Sequence, residues 1–382
     1  MKKRLATIFM RSWKLGFVTV ALLVSTGYAA SKLRPSVPMQ KLQVTTERSP
    51  WTPQRAWKWF YAIGPIRGVN FEPSSAVNDT DIWQAETFDP KTIDRELGWA
   101  HDIGYNNVRV FLQYLVWEQD PSGFKKRINQ FLQTAEKHGM RMMPVLFDDC
   151  VFAGDEPYLG KQADPIPGVH NSQWTPSPGH RQVTDHAAWP KLEAYIKDVV
   201  GSFGADKRVL IWDLYNEPGN SGMGEKSLPL MTAAFGWARS MHPSQPLTMG
   251  VWSDFNNPLS LTMLHLSDIV SFHGYDPADG TKKKVAQCRA MERPILCTEW
   301  LCREFGNTFD AILPIFAENN IGWYSTALVA GKTQAYMHWG SEKGSPVPKV
   351  WQHCVLKQDG TPYDPAEIEL IKSWKPVVGT KQ

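Results

Sequence analysis

Two glutamates follow apolar segments that are far apart in the sequence. Glu217 follows the apolar part of 209-VLIWDLYNEPGN-220, and Glu299 lies near the end of 294-PILCTEW-300. Two carboxylates that flank a cleft can break a glycosidic bond, since one donates a proton to the leaving oxygen and the other stabilises or attacks the anomeric carbon. This chemistry uses no metal and no cofactor, and we predict neither.

Short apolar runs alternate with longer amphipathic segments along the chain, a pattern typical of repeated βα units. Eight strands are predicted, at 66–70, 107–111, 141–147, 209–216, 247–251, 269–275, 294–300 and 321–325. Helices are predicted between them at 92–103, 124–138, 189–203, 228–241, 259–266, 282–291 and 309–319, with a last one starting near 365. The predicted fold class is therefore α/β, a (β/α)8 TIM barrel with a long β3-α3 loop insertion. An open doubly wound sheet is the alternative, but 66-IRGVNFEPSS-75 lacks the glycine-rich phosphate loop typical of that fold.

In a closed barrel the carboxyl ends of all strands meet at one rim, where the sites of this fold are built. Glu217 and Glu299 both lie at predicted strand ends, and 299 − 217 = 82 residues separate them, about 27 per βα unit over three units. We therefore expect the two carboxylates to face one another across the mouth of the barrel.

The connection after the third strand, residues 148–188, is unusually long and rich in Pro, Gly and aromatic residues. Loops of this length are uncommon unless they are functional. We predict that it walls or caps the cleft, with His170 and Trp174 as contacts. An insertion without a role is the alternative.

The composition excludes a wholly disordered chain, because 42% of the 382 residues are hydrophobic and 12% are aromatic. The net charge of +3 comes from basic and acidic residues that are mixed along the chain, which argues against a nucleic-acid partner. Seventeen Trp exceed what a core of this size usually uses, and exposed Trp offers flat faces that suit sugars. A carbohydrate partner is predicted, although filling the core is the alternative role for any single Trp.

The N-terminus has the pattern of a signal peptide, with basic residues before the apolar run 15-LGFVTVALLV-24. The predicted organisation is a signal peptide at 1–30, a linker or surface strap at 31–55 and a catalytic barrel at 56–382. A secreted or periplasmic location without stable membrane insertion follows, and an uncleaved N-terminal anchor is the alternative. A monomer is expected, although the sequence does not determine the oligomeric state. The five cysteines are an odd number without metal-ligand spacing, so no essential disulfide framework is predicted.

The chain resembles the glycoside hydrolases of the large clan of retaining (β/α)8 enzymes, most of all bacterial proteins related to family 5. The resemblance covers residues 60–375. In 212-WDLYNEP-218 it implies Glu217 as the acid/base and Asn216 as the partner of the sugar 2-hydroxyl. In 298-TEW-300 it implies Glu299 as the nucleophile, with Arg109 beneath it. The strand-six pair of the family matches His273 and Tyr275 in 272-FHGY-275.

These roles set electrostatic expectations. Arg109 should favour the ionised form of Glu299, whereas the apolar strand and the charge of Glu299 should raise the pKa of Glu217. Asp213 shares a strand face with Glu217, and burial would oblige it to pair, plausibly with Arg109. Carboxyl groups about 5 to 5.5 Å apart would mean retention of configuration, and about 6.5 to 9.5 Å would mean inversion.

Further side chains are predicted to bind substrate or support the site. Tyr275 is expected to contact Glu299, and His273 to contact sugar or the acid/base. Sugar hydroxyls are assigned to Asp148 and Asp149. Stacking is assigned to Trp252, just after strand five, and to Trp300, beside Glu299.

The chain departs from the clan at the end of strand eight, where Thr326 aligns with the usual Trp platform. Trp323 and Trp339 are the candidate replacements, and loss of the platform is the alternative. Lys332 or Gln334 could reach a polar ligand.

The predicted function is a retaining β-glycoside hydrolase that cleaves a β-linked oligo- or polysaccharide by double displacement. A transglycosylase with the same residues and a non-catalytic carbohydrate-binding barrel are the alternatives. The sugar, the linkage and endo or exo action stay open.

Overall fold

The computed structural model describes residues 49–377. Within this range the chain forms nine short strands, and every strand pairing is parallel. In chain order they are β1 (Arg67–Asn70), β2 (Asn107–Phe111), β3 (Arg141–Val145), β4 (Trp212–Asp213), β5 (Leu247–Thr248), β6 (Gly250–Val251), β7 (Val270–His273), β8 (Ile295–Trp300) and β9 (Gly322–Ser325).

The sheet closes through its fifth strand. The hydrogen-bonded order begins at β5 and ends at β6, and only Met249 separates these two in the chain. They are therefore two halves of the predicted strand 247–251, one paired with β4 and the other with β7. The result is the predicted eight-fold barrel, which confirms the fold class. A Cβ at Gly250 would lie 2.6 Å from His273 Nε2, so the missing side chain makes room for that imidazole.

Twelve α-helices lie between and around the strands in residues 49–377. They are α1 (Pro53–Ile63), α2 (Asp79–Trp83), α3 (Pro90–Asp102), α4 (Tyr114–Gln119), α5 (Pro121–Lys137), α6 (His180–Thr184), α7 (Trp189–Phe203), α8 (Leu228–Ser240), α9 (Pro258–Leu266), α10 (Ala278–Arg289), α11 (Phe309–Glu318) and α12 (Pro365–Ser373). None of the helices in this range combines the length and the apolar character that spanning a bilayer requires.

All eight predicted helices are present. Several begin a few residues earlier than predicted, and the residues at their starts show why. Helix α5 begins at Pro121 after Asp120, whose carboxylate accepts a hydrogen bond from Gly123 N at 2.8 Å. Asp89 caps α3 in the same way, and Pro90 is its first residue. Proline fits the first turn of a helix because its missing N–H would be unpaired there. A proline therefore marked the start of these helices, not a break before them.

Helix α1 covers the amino-terminal end of the barrel. Trp51 and Phe60 are buried there with Ile66, Leu210 and Ile269, which precede β1, β4 and β7. The predicted linker 31–55 thus ends in buried and helical residues that belong to the barrel, and its part before residue 49 lies outside the described residues. The predicted signal peptide, 1–30, also lies outside them.

The predicted insertion at 148–188 is anchored to the loop 326–364 that follows β9, here called the β9 loop. Asn171 N donates to Thr333 O at 2.7 Å. The Gln334 side chain accepts from Gly168 N at 2.9 Å and donates to Ile166 O at 2.7 Å. Both loops start at the carboxyl ends of strands, so together they form one wall above the barrel mouth.

Candidate active site

The two glutamates lie at the carboxyl rim of the barrel, as predicted. Glu299 is in β8, and Glu217 follows β4. Their side chains are 14% and 12% exposed, which leaves both accessible from the mouth. Glu217 has a backbone φ of 42°, in the left-handed region that non-glycine residues seldom adopt. Such strain in a non-glycine residue is typical of functional sites.

Glu299 is held by one cation and one hydroxyl. Arg109 Nη1 donates to Glu299 Oε1 at 2.7 Å, and the Tyr275 hydroxyl donates to Oε2 at 2.8 Å. Both predicted contacts of Glu299 are therefore confirmed. Thr326, which replaces the usual Trp, lies 2.8 Å from the same Tyr275 hydroxyl through its Oγ1. The short side chain at 326 thus belongs to the site and supports Tyr275.

Arg109 is fully buried in β2, and each of its nitrogens has a partner. Nε donates to Asp213 Oδ2 at 2.9 Å, which confirms the predicted ion pair. Nη1 also donates to Asn70 Oδ1, and Nη2 donates to Asn216 Oδ1, both at 2.7 Å. Burying a guanidinium requires this compensation by opposite charge and hydrogen bonds. Arg109 therefore connects β1, β4 and β8 beneath the mouth.

Glu217 is surrounded by hydrogen-bond donors on both carboxylate oxygens. His273 Nδ1 lies 2.7 Å from Oε1, so His273 contacts the predicted acid/base. The Cys150 thiol lies 3.3 Å from Oε2, and the Asn220 amide also donates to that oxygen. The sequence analysis did not single out Cys150 or Asn220. Both follow strand ends, which is the signal that could have identified them.

The two carboxylates are close neighbours. One ligand-type atom each from Glu217, His273 and Glu299 lie within 4.8 Å of one another. His273 Nδ1 is also 3.6 Å from Glu299 Oε2, so the imidazole lies beside both acids. This spacing is also what a cation site needs, but Arg109 and His273 already contact the two carboxylates.

The expected rise in the pKa of Glu217 is wrong for the free protein. Burial raises this pKa, but the hydrogen bonds from His273, Cys150 and Asn220 outweigh burial and hold it below its ordinary value. Donors stabilise the ionised form of a carboxyl group. An ionised Glu217 can only accept, so Nδ1 of His273 is the donor in their hydrogen bond.

Glu72 is a third carboxyl group near the site that the sequence analysis did not single out. It lies two residues after β1, at the rim where all the strands end. Burial and the negative charge of Glu299 raise its pKa, Arg109 opposes both effects, and the net result is a pKa of about 7. Its position after the first predicted strand was the available signal.

Asp148 and Asp149 support the site and do not face a sugar. Asp148 is 1% exposed and accepts from Asn216 Nδ2 at 2.8 Å and from Trp174 Nε1 at 2.7 Å. Asp149 is buried and accepts from the Tyr215 hydroxyl at 2.6 Å. The assignment of both to sugar hydroxyls is therefore wrong. Trp174 is also buried and orients Asp148, so it offers no ring face to a substrate.

The predicted aromatic platforms divide into buried and accessible residues. Trp300 and Trp323 are 0% exposed and pack edge to face at 5.6 Å, so their assignment to sugar stacking is wrong. Trp252 is partly exposed and donates to Pro218 O at 3.1 Å, directly after Glu217. Trp339 in the β9 loop is partly exposed and lies edge-on to Tyr275 at 4.9 Å. It is the accessible Trp that contacts a partner of Glu299.

The remaining predicted contacts have structural roles. His170 is 6% exposed, and its Nδ1 lies 2.8 Å from Met337 O in the β9 loop. Gln334 uses its amide to hold the 148–188 loop, as described above. Lys332 is exposed and lines a separate cavity with Gln84 and Gln162. These three residues therefore stabilise or border the loops.

Comparisons with known proteins agree with this geometry. Residues 77–347 match the sequence model of the family described as Cellulase (glycosyl hydrolase family 5). No curated protein sequence is a significant match to the chain.

Solved structures share the fold. The endo-β-1,4-mannanase from Thermotoga petrophila is 13% identical, with a TM-score of 0.54 over 81% of this chain and 76% of that one. The GH5_18 structure from Streptomyces cattleya in complex with GlcNAc is 13% identical, with a TM-score of 0.57 over 81% and 80%. The exo-β-1,4-mannosidase from Opitutaceae bacterium strain TAV5 is 17% identical, with a TM-score of 0.56 over 81% and 59%. Because the family model spans more than half of the sequence, this chain belongs to glycosyl hydrolase family 5 and is a glycoside hydrolase.

Proposed function

We propose that the protein is a retaining β-glycosidase in which Glu299 is the nucleophile and Glu217 the acid/base. The observation that carries the proposal is the spacing of the two carboxylates, whose ligand atoms lie within 4.8 Å. Retaining enzymes hold their carboxyl groups about 5 to 5.5 Å apart, because the nucleophile itself must reach the anomeric carbon.

In the first step a Glu299 oxygen bonds to the anomeric carbon while the bond to the leaving oxygen breaks. The leaving oxygen takes a proton from Glu217, and the glycosyl group is left as an ester of Glu299. Arg109 and Tyr275 orient the attacking carboxylate through their contacts at 2.7 and 2.8 Å. Fixing a nucleophile in the attack geometry lowers the barrier by removing orientational freedom in advance.

In the second step water attacks the anomeric carbon, and the bond to Glu299 breaks. Glu217 accepts the proton of that water. Esterification removes the negative charge of Glu299, and the donors on Glu217 already favour its ionised form. Glu217 is therefore suited to act as the base in this step. Asn216, held by Arg109 and Asp148, is the proposed partner of the sugar 2-hydroxyl.

The proposed substrate is a β-linked oligo- or polysaccharide, with β-1,4-mannosides as the first class to test. The structural neighbours include an endo-β-1,4-mannanase and an exo-β-1,4-mannosidase, which motivates this choice. Trp339 and Trp252 are the proposed stacking surfaces. We also propose a secreted or periplasmic location, as the N-terminal sequence suggests.

The test is product analysis on β-mannans, β-glucans, xylans and 4-nitrophenyl β-glycosides. Proton NMR identifies the anomer of the first product. The expected result is turnover with the β-anomer formed first. Glu299→Gln and Glu217→Gln should lower kcat/KM by at least about 1,000-fold, whereas exposed Glu318→Gln should not change it.

Three other outcomes would identify a different function. An α-anomer as first product would overturn retention. Longer oligosaccharides without net hydrolysis would indicate the transglycosylase. Binding of sugars by a folded protein without any turnover would favour the non-catalytic barrel.

A further inference from the structure

Cys150 lies directly beside the proposed acid/base, and nothing in the family assignment explains it. Its Sγ is 3.3 Å from Glu217 Oε2, 3.4 Å from Asn220 Nδ2 and 3.5 Å from Asn216 Nδ2. The backbone N of Cys150 donates to Asp148 Oδ1 at 2.9 Å, which fixes the position of the thiol. The sulfur therefore contacts one carboxylate and two amides.

The neighbouring amides determine the direction of the thiol hydrogen bond. Asn216 Oδ1 accepts from Arg109, which can only donate, so the NH₂ group of Asn216 faces the sulfur. Asn220 Oδ1 accepts from the backbone N of Ser221, so its NH₂ group also faces the sulfur. Among the groups that the described residues bring to Sγ, Glu217 Oε2 is the acceptor. The S–H of Cys150 accordingly donates to Glu217.

The thiol form is the stable form of Cys150 at this site. Burial raises its pKa well above the ordinary value, and the negative charges of Asp148, Glu217 and Glu299 raise it further. A neutral thiol is a weak donor, whereas a thiolate would repel Glu217. Cys150 therefore supplies a weak, uncharged hydrogen bond to Oε2.

We propose that Cys150 is a positioning residue that sets the proton affinity of Glu217 and the orientation of its Oε2 edge. Its weak donation stabilises the ionised carboxylate less than a hydroxyl would. Glu217 thereby keeps enough proton affinity to act as an acid while His273 and Asn220 hold it. The catalytic part of this inference rests on the proposed function, but the hydrogen bond does not.

The first test measures the pKa of Glu217 without turnover. Protein labelled with carbon-13 at glutamate side-chain carboxyls is titrated by NMR, and Glu217→Gln assigns the resonance. Cys150→Ser introduces a stronger donor and should lower the pKa of Glu217, whereas Cys150→Ala removes the donor and should raise it. Each shift is expected to be about 0.5 pH unit. A general loss of structure would not produce shifts of opposite sign.

The second test uses turnover. The first step requires protonated Glu217, so the pKa of Glu217 sets the alkaline limb of the pH profile of kcat/KM. On a 4-nitrophenyl β-glycoside this limb should shift to lower pH in the Ser variant and to higher pH in the Ala variant. The effect on rate should decrease on a 2,4-dinitrophenyl glycoside, whose leaving group needs little protonation.

Cys288→Ala is the matched control, because that buried thiol lies in α10 and contacts neither glutamate. It should leave the Glu217 titration unchanged. An unchanged pKa in both Cys150 variants, or shifts in the same direction, would overturn the inference. A wild type without glycosidase activity would refute the proposed function, yet the NMR titration would still decide the role of Cys150.

Discussion

His273 Nδ1 lies 2.7 Å from Glu217 Oε1, the closest contact that either ring nitrogen makes with a carboxylate of the site. The ring is 2% exposed, and its Nε2 is buried without a hydrogen-bond partner among residues 49–377. The Glu217 carboxylate is therefore held by a side chain from β7 as well as by residues close to it in the chain.

Replacing His273 should move the pH dependence of the enzyme upward. His273→Ala removes the strongest donor to Glu217, so the pKa of Glu217 rises. Since the acid must be protonated, the alkaline limb of kcat/KM should shift up by roughly one pH unit, with a rate loss of roughly 10- to 100-fold. Profiles on an aryl β-glycoside measure both effects. Exposed His265→Ala is the control, and a downward or absent shift would contradict the effect of the His273 hydrogen bond on Glu217.

Removing the charge of Arg109 should destabilise the protein. Arg109→Met leaves Asp213 and Glu299 buried without their cation, and breaking such a pair costs about 3 to 5 kcal/mol. Urea unfolding measures the loss in the free energy of unfolding. Exposed Arg289→Met should stay within about 0.5 kcal/mol of the wild type. An equally small change for Arg109→Met would show that the network contributes little to stability.

Glu72 should make the protein less stable as the pH rises. Its raised pKa means that the folded state keeps a proton that the unfolded state releases, so the free energy of unfolding falls between the ordinary pKa of 4.5 and about 7. Glu72→Gln should reduce that fall by at most roughly 3 kcal/mol. Unfolding at pH 5 and pH 8 tests this, with exposed Glu369→Gln as the control. Equal falls in the wild type and Glu72→Gln would exclude the effect.

Two tryptophans should respond in opposite ways to truncation. Trp339→Ala should raise KM about 10-fold with little loss of stability, because the ring is partly exposed beside Tyr275. Trp339→Phe should keep part of the affinity. A KM unchanged in Trp339→Ala would remove Trp339 from the substrate surface.

Trp300→Ala should instead cost about 3 to 5 kcal/mol of stability, since the ring packs fully buried against Phe309 and Phe316. Thermal unfolding tests this loss, and Trp252→Ala, with a partly exposed ring, is the comparison. Equal losses in the two variants would contradict the contrast in burial.

The barrel and the contacts of Glu299 could be predicted from the sequence because strand periodicity and rim position determine them. The burial of Trp300 follows from the same periodicity. Neighbouring residues of a strand face opposite sides, so once Glu299 points into the mouth, Trp300 must point toward the helices.

The pKa of Glu217 could not be predicted from its own strand. Its donors come from three other places: the loop after β3, the end of β7 and the residues that follow Glu217 itself. Desolvation can be anticipated from a local apolar sequence. The hydrogen bonds that offset it depend on how separate loops meet in three dimensions.

The left-handed backbone at Glu217 implies a trade between folding and chemistry. A residue with φ of 42° pays a conformational penalty that glycine would avoid. Replacing Glu217 by glycine would remove that penalty together with the carboxylate to which His273, Cys150 and Asn220 donate, so the strained backbone and this hydrogen-bond network belong together.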